Sequence, residues 1–320
     1  MNELIVVDKL VKYFPTGGGF LAGPKQYVRA VDDISFVIRK GETFGLVGES
    51  GCGKTTTGRL ILRLIEPTSG KIFYNGQDIT KLNEAQMRQM RRKMQLIFQD
   101  AFSSFDPRNT VFDIIAEPLR VHNLASGAEL CERVAELLVT VGLEQRHAAE
   151  YPHTLSSGQK QCVGIARALS LNPEFIVADE PISAVDVSVR AQVLNLMKDL
   201  QDKFGLTYLF ISHDMSVIKF LSDRVGVMYV GKLVEYAEKR ELFKHPMHPY
   251  SQALLAAVPV EDPSERHERQ ILEGDVPSPI NPPSGCRFHT RCSYAKPICA
   301  EEEPLLEDRG GGHYVACHVF

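Results

Sequence analysis

Gly48-Glu49-Ser50-Gly51-Cys52-Gly53-Lys54-Thr55 fits the pattern G-x-x-x-x-G-K-[ST], and its neighbours decide how it is read. Before it, Thr43-Phe-Gly-Leu-Val47 is an apolar run of strand length. After it, Thr56-Thr-Gly-Arg-Leu-Ile-Leu-Arg-Leu64 reads as a helix that opens at the loop. Strand, glycine loop and helix in that order separate a phosphate-binding loop from a chance match. Glycines at 48, 51 and 53 let the backbone turn where a Cβ would obstruct, so that several N–H groups converge on an anion. The helix N-terminus adds partial positive charge on the same side. Lys54 then faces the β and γ phosphates, and the Thr55 hydroxyl is placed for Mg2+. A glycine-rich turn that merely caps a helix does not explain Gly-Lys-Thr here. The stretch Gly48 to Thr56 is expected to bind a nucleotide.

A chain of 320 residues can bury a sizeable core and suits one or two domains. Its 44% hydrophobic and 24% charged content is that of an ordinary globular protein. A net charge of −4 makes no electrostatic case for nucleic acid as the main partner. No apolar run approaches the length of a membrane span, and the N-terminus lacks the pattern of a signal peptide, so the chain is expected in the cytosol. Of seven cysteines, Cys286, Cys292, Cys299 and Cys317 crowd the C-terminal segment. In a reducing compartment such a cluster is read first as a metal site.

Outward from the loop, Glu3 to Phe14 and Val28 to Ile38 have strand character, with a break at Pro15-Thr-Gly-Gly-Gly19. They are expected to form a small antiparallel sheet beside the nucleotide core. Residues 111–150 carry helical periodicity and suggest a helical insertion. Phe175-Ile-Val-Ala178 and Tyr208-Leu-Phe-Ile211 are strand-like, each after a helical segment, which implies a mostly parallel sheet. Arg224 to Glu235 reads as a terminal hairpin. Beyond Phe243 prolines multiply and Gly274 to Gly285 is linker-like.

Phe175-Ile-Val-Ala-Asp-Glu-Pro181 is an apolar strand ending in two acids. Asp179 at its tip can hold Mg2+, and Glu180 is placed to polarise a water for attack on the γ-phosphate. Leu155-Ser-Ser-Gly-Gln-Lys-Gln161 precedes a stretch from Cys162 to Ser170 that reads as a helix. Ser156, the Gly158 backbone and that helix N-terminus form a second anion-binding surface. One nucleotide does not need two such surfaces from one chain, which suggests a dimer with each loop capping its partner's nucleotide.

With these motifs in place, the sequence resembles an ATP-binding-cassette nucleotide-binding subunit. Leu155 to Gln159, including Ser156, Ser157, Gly158 and Gln159, occupies the family's signature loop, and Ser183-Ala-Val-Asp186 resembles its D-loop. The resemblance makes Gln99 a residue that touches Mg2+ and couples to the transmembrane partner, and His213 the switch histidine at the γ-phosphate. It also makes Phe14 the aromatic that stacks on adenine, with Tyr13 and Tyr27 as rivals. Ser157 departs from the family's usual Gly, Cys162 from its Arg or Lys, and Val185 from its Leu. Ser157 is neutral if its side chain points away from the opposite nucleotide and weakens that site otherwise. Cys52 either fits the space in the loop or makes the enzyme thiol-sensitive.

Ser103-Ser-Phe-Asp-Pro-Arg108, Ile114-Ile-Ala-Glu-Pro-Leu119, His245-Pro-Met-His-Pro-Tyr250 running on to Pro259, and Leu272-Glu-Gly-Asp-Val-Pro-Ser-Pro279 narrow the resemblance to the oligopeptide/dipeptide importer subfamily. It implies an α/β fold: a P-loop NTPase core with a mostly parallel sheet, a flanking antiparallel β subdomain, a helical insertion and a small Cys-rich C-terminal extension. The expected domains are a cassette at 1–243, with the insertion at about 100–170, and an extension at 244–320. ATP and Mg2+ are the implied cofactors. The implied partners are a second, non-identical cassette, two transmembrane permease subunits and an extracytoplasmic solute-binding protein, and no nucleic acid. The implied place is peripheral, on the cytoplasmic face of the cell membrane.

Lys54, Glu180 and His213 are the expected catalytic residues, and the expected Mg2+ ligands are Thr55, Gln99 and Asp179. Cys286, Cys292, Cys299 and Cys317 offer four thiolates to tetrahedral Zn2+ or to a 4Fe–4S cluster, with His289, His313 and His318 complicating the ligand set. The resemblance favours the iron–sulfur cluster, as a staple for a segment too small to fold alone. Other readings are an oligosaccharide or nickel importer, a degenerate subunit whose partner hydrolyses ATP, and a soluble cassette protein of translation or repair. The last would carry a second cassette or a coiled-coil insertion, and neither is present.

Overall fold

The computed structural model describes residues 3–16, 26–100, 104–257 and 274–320. The glycines at 17–19, Ser103, Val258-Pro259 and Leu272-Glu273, which belong to stretches quoted above, lie outside the described residues. In chain order the elements are β1 (Glu3–Thr16), β2 (Gln26–Arg39), β3 (Thr43–Val47), α1 (Lys54–Ile61), β4 (Ser69–Tyr74), β5 (Gln77–Asp78), α2 (Glu84–Arg91) and β6 (Met94–Ile97). Then come α3 (Val111–Val121), α4 (Gly127–Thr140), α5 (Ser157–Leu169), β7 (Phe175–Asp179), α6 (Val187–Phe204), β8 (Thr207–Ser212) and α7 (Met215–Leu221). The chain closes with β9 (Arg224–Tyr229), β10 (Lys232–Glu238), α8 (Lys239–Lys244), α9 (Pro249–Ala256), α10 (Pro297–Glu301), β11 (Glu307–Asp308) and β12 (Tyr314–Val315). Two compact units result: Met1–Lys81 with Ser212–Phe320, and Leu82–Ile211.

The first unit contains the expected antiparallel sheet, in the order β2-β1-β4-β5. Partial alternation in β1 and β2 places Ile5, Val7, Leu10, Val31, Ile34, Phe36 and Ile38 on a buried face, as a half-solvated antiparallel sheet requires. A second set of strands runs β11-β12-β10-β9-β3. Here β3 lies parallel to β9, with Phe44 opposite Arg224 and Val47 opposite Val227. The hairpin expected at Arg224 to Glu235 is β9 and β10, paired antiparallel. All five residues of β3 are buried, which is why the strand carries no polar alternation.

In the second unit β6, β7 and β8 are parallel neighbours, with Met94 opposite Phe175 and Phe175 opposite Thr207. The helical insertion is α3, α4 and α5, packed through Val111, Ile115, Leu119, Leu130, Val134, Leu138, Val163 and Ala166. The α/β class, the parallel strands, the antiparallel flank and the helical insertion all stand as expected.

The metal expectation does not. Among the described residues no group of three or more His, Cys, Asp or Glu side chains is placed to hold a metal ion. Neither a 4Fe–4S cluster nor Zn2+ therefore has a site at Cys286, Cys292, Cys299 and Cys317. Burial pushes the Cys286 thiol up to about 11. The segment is fastened by other means. Strand β12 pairs with β10, setting Glu235 opposite Val315 and Tyr236 opposite Tyr314, whose rings stack with centroids 4.6 Å apart. The fully buried Glu235 carboxylate contacts His313 Nε2 at 2.7 Å and accepts the backbone N–H groups of Met247 and His248. Arg287, buried, donates to Asp32 and to the Val230 carbonyl. Ion pairs and sheet pairing do the stapling that thiolates were expected to do.

Candidate functional site

In the first unit the glycine loop leaves β3 at Val47 and enters α1 at Lys54. Gly53 caps the helix at φ 108°, a left-handed conformation, and a Cβ there would lie 2.1 Å from the Ala30 carbonyl oxygen. At Gly48 a Cβ would lie 2.1 Å from the Met228 carbonyl oxygen. Backbone approaches this close admit only glycine, and they hold the loop against β2 and β9. Lys54, 5% exposed, folds back so that Nζ donates to the carbonyls of Gly48 at 2.7 Å and Glu49 at 3.0 Å. Those are neutral acceptors, and an anion offering charged oxygens would compete well for the ammonium. Thr55 and Thr56 are half-buried in the first turn of α1, while Ser50 and Gly51 are exposed. Cys52 is buried, with its thiol pKa raised by that burial, and its carbonyl accepts from Gly231 N–H at 2.8 Å. Its sulfur fills space that a Cβ at Gly48 would invade at 2.8 Å.

Glu49 is gripped in a way the sequence pattern did not show. Its N–H donates to the Tyr250 hydroxyl at 2.8 Å. Its carboxylate takes a fork from Arg291, Nη1 to Oε2 at 2.8 Å and Nη2 to Oε1 at 3.2 Å. Tyr250 belongs to the stretch quoted above for family likeness, His245 to Pro259, and Arg291 to the cysteine segment, where neither residue type signals a partner near 49. His213 is exposed on the bend between β8 and α7, and the following Asp214 caps α7 by accepting from Ser216 N–H at 2.8 Å. Phe14 is 36% exposed near the end of β1, with the Lys12 ammonium 5.0 Å from its ring centre. Of its rivals, Tyr27 is 44% exposed, whereas Tyr13 is committed: its hydroxyl donates to Asp32 at 2.6 Å.

In the second unit the strand-end acids take different environments. Asp179 is buried at the tip of β7. Glu180, half-buried, sits at φ 46°, a conformation that costs a side chain about 1 kcal/mol or more and persists where the surroundings impose it. Its N–H is held by the Ile211 carbonyl at 3.0 Å and its carbonyl by the Ser183 hydroxyl at 3.0 Å. The Gln99 amide donates to the Glu180 carboxylate at 3.1 Å, so two residues singled out separately in the sequence meet here.

The segment before α5 is built by a capping box. Ser156 Oγ accepts from Gln159 N–H at 3.3 Å, and Gln159 Oε1 accepts from Ser156 N–H at 2.9 Å. Gln159 Nε2 also contacts His147 Nε2 at 3.2 Å. Ser157 Oγ donates to Asp186 Oδ2 at 2.7 Å, so its side chain is turned onto the N-cap of α6. Gly158 is needed for packing, since a Cβ there would stand 2.5 Å from Val189 Cγ1. Among the described residues no helix is long and apolar enough to cross a membrane.

Two family models match the chain: ABC transporter over residues 31–183, and oligopeptide/dipeptide transporter, C-terminal region, over residues 234–299. The chain is 54% identical over 322 residues to the oligopeptide transport ATP-binding protein AppF of Bacillus subtilis, covering 100% of this chain and 98% of that protein. Among solved structures it is similar to the ATP-binding cassette MJ0796, a dimer in a post-hydrolysis state bound to ADP and Pi, at TM-score 0.66 and 28% identity over 74% of this chain and 99% of the other. A further dimeric structure of MJ0796, described as a bacterial ABC transporter cassette, matches at TM-score 0.66 and 29% identity, over the same 74% of this chain and 99% of its own.

Proposed function

The chain belongs to the ABC transporter family, and on that premise we propose that it is the ATP-hydrolysing subunit of an importer for oligopeptides or dipeptides. The observation that carries the reading is end-to-end likeness to an oligopeptide transport ATP-binding protein, together with a glycine loop whose lysine is poised over its own carbonyls. We read residues 1–243 as the cassette and 244–320 as the extension typical of peptide importers. The partners follow from this reading: a second cassette, two permease subunits in the membrane and an extracytoplasmic solute-binding protein, with this chain peripheral on the cytoplasmic face.

In the proposed cycle, the loop from Gly48 to Thr56 receives the triphosphate. Lys54 exchanges its carbonyl partners for β- and γ-phosphate oxygens, and Phe14 stacks on adenine. Thr55, Asp179 and Gln99 carry oxygens of the kind Mg2+ prefers and would hold the ion, which would neutralise phosphate charge. Glu180, oriented by Gln99, draws a proton from the attacking water, and His213 donates to the γ-phosphate. Ser156, Ser157, Gly158 and Gln159, with Asp186 beside them, face the nucleotide held by the second cassette. Because Ser157 Oγ is bonded to Asp186, the hydroxyl that departs from the family's glycine already has a partner within its own chain. Closure of the two cassettes on ATP moves the permease, and hydrolysis reopens them.

In the reconstituted complex, Glu180→Gln is expected to keep ATP binding while turnover falls by about 100-fold or more. Near-normal turnover of that variant would remove Glu180 from the mechanism. The substrate class is tested by isolating the complex with its solute-binding protein and identifying the bound ligand. A peptide supports the reading; a sugar or nickel overturns it.

A further inference from the structure

We propose that Arg291 and Tyr250, both from the C-terminal segment, are positioning residues of the phosphate loop, the arginine by neutralising Glu49 and the tyrosine by fixing its backbone. The inference rests on the reading of Gly48 to Thr56 as the phosphate site, and it gives the extension a part in ATP affinity.

The contacts are specific and long in range. Tyr250 and Arg291 lie 201 and 242 positions from Glu49 in the chain. The Arg291 side chain is 6% exposed and the Glu49 side chain 26%, so the fork is sheltered from the screening that makes surface pairs weak. The guanidinium is also braced. Its Nη1 lies 3.3 Å from the Tyr229 hydroxyl, and its carbon 5.9 Å from the centre of that ring. Tyr229 packs in turn on Tyr250 and Phe288, with ring centres 4.6 Å and 5.2 Å away. Tyr250 and Phe288 are themselves 5.4 Å apart, and all three rings are buried. Neither the tyrosine hydroxyl nor the guanidinium can leave Glu49 without disturbing this cluster.

The chemistry gives the arrangement its purpose. A loop that receives a triphosphate gains from every positive charge and loses from every negative one near it. Glu49 places a carboxylate on that loop directly after Gly48, and Arg291 cancels it by a bidentate pair. Tyr250 meanwhile takes the Glu49 N–H as an acceptor, which settles the peptide orientation at the start of the loop.

The test uses the full chain, with ATP–Mg2+ binding by calorimetry and steady-state turnover. Wild type is compared with Arg291→Met, Glu49→Gln, the double variant and Tyr250→Phe. Arg291→Met is expected to bind ATP at least tenfold more weakly, since one uncompensated charge within about 12 Å of phosphate is worth that much at an effective dielectric near 20. The rise is expected in KM with kcat changed much less. Glu49→Gln, which leaves Arg291 unopposed, should bind ATP more tightly than wild type. Adding it to Arg291→Met should recover most of the lost affinity, which a purely packing role would not permit. Tyr250→Phe, which removes the acceptor for the Glu49 N–H and no charge, should weaken binding severalfold. Unchanged affinity in Arg291→Met overturns the proposal, as does a double variant as weak as the single. If Arg291→Met does not fold, Glu49→Gln alone decides: weaker binding than wild type overturns the proposal. A wild-type chain that is folded by circular dichroism and binds no ATP overturns the nucleotide reading itself, a different outcome from any of these.

Discussion

Replacing Gly158 by alanine tests the packing of the segment before α5 against the start of α6. The new Cβ falls 2.5 Å from Val189 Cγ1, roughly 1 Å inside ordinary carbon contact. Val189 cannot easily yield: it is β-branched, in the first turn of α6, and such a side chain has essentially one rotamer in a helix. With no second rotamer to escape into, overpacking falls in the upper part of its usual range, about 2–3 kcal/mol, and the better helix propensity of alanine returns about 1 kcal/mol. The net loss expected is therefore about 1–2 kcal/mol, or a melting temperature lower by about 2–6 °C. The same shift parts the two helix N-termini that the 2.7 Å bond from Ser157 to Asp186 holds together, so ATP turnover in the complex should fall severalfold. Val189→Ala removes the obstructing methyl, and the double variant should regain both stability and turnover. Calorimetric melting with a coupled ATPase assay reads both. A Gly158→Ala protein that melts with wild type and turns over normally refutes the reasoning, as does a double variant no better than the single.

Further outcomes follow from other contacts. Burial alone would raise the Asp32 carboxyl, but the Tyr13 hydroxyl, Lys232 and Arg287 outweigh it and hold the group below its ordinary value. Its contribution is therefore complete above the unfolded value near ~3.9 and is lost as pH falls through the lower folded value. Acid denaturation curves should show this, and Asp32→Asn should flatten them over that range while lowering stability at neutral pH. Gln99→Ala frees the carboxylate of Glu180 from one orienting donor, so kcat should drop by about tenfold with KM for ATP changed less; equal effects on both would argue against orientation. Thiol alkylation followed by mass spectrometry should modify the exposed Cys131 well before Cys52, which is buried with a raised pKa; early loss of Cys52 would show that the loop opens freely.

Much of the nucleotide machinery is legible because its signals are local. Strand β3, the loop and α1 are adjacent in the chain, with glycine and an apolar run marking each boundary. The strand ending at Asp179-Glu180 and the Ser156 to Gln159 capping box are equally local, the latter a recognisable S-x-x-Q pattern. Strands β4 and β5 escaped notice because they are short and carry no strong apolar alternation. Arg291 and Tyr250 were invisible for a different reason. An arginine or tyrosine carries no information about a partner more than 200 positions away, and only the fold supplies it. The four C-terminal cysteines misled in the opposite sense: their crowding in sequence suggested shared ligation, while the structure fastens the segment through Arg287, Arg291, His313 and β12.

Strand β12 has one more consequence, for self-association. Without it, β10 would present a row of unpaired backbone groups, the template on which a second molecule can add. Two residues of β12 pair with Glu235 and Tyr236 at the middle of that row, and beyond them the outermost strand is β11, Glu307–Asp308, whose side chains are both exposed. An edge two residues long, with Glu307 paired to Arg309 at 3.4 Å, offers another copy little backbone to pair with. The segment that holds Glu49 thus also leaves this side of the sheet with a border too short to make a good template for another chain.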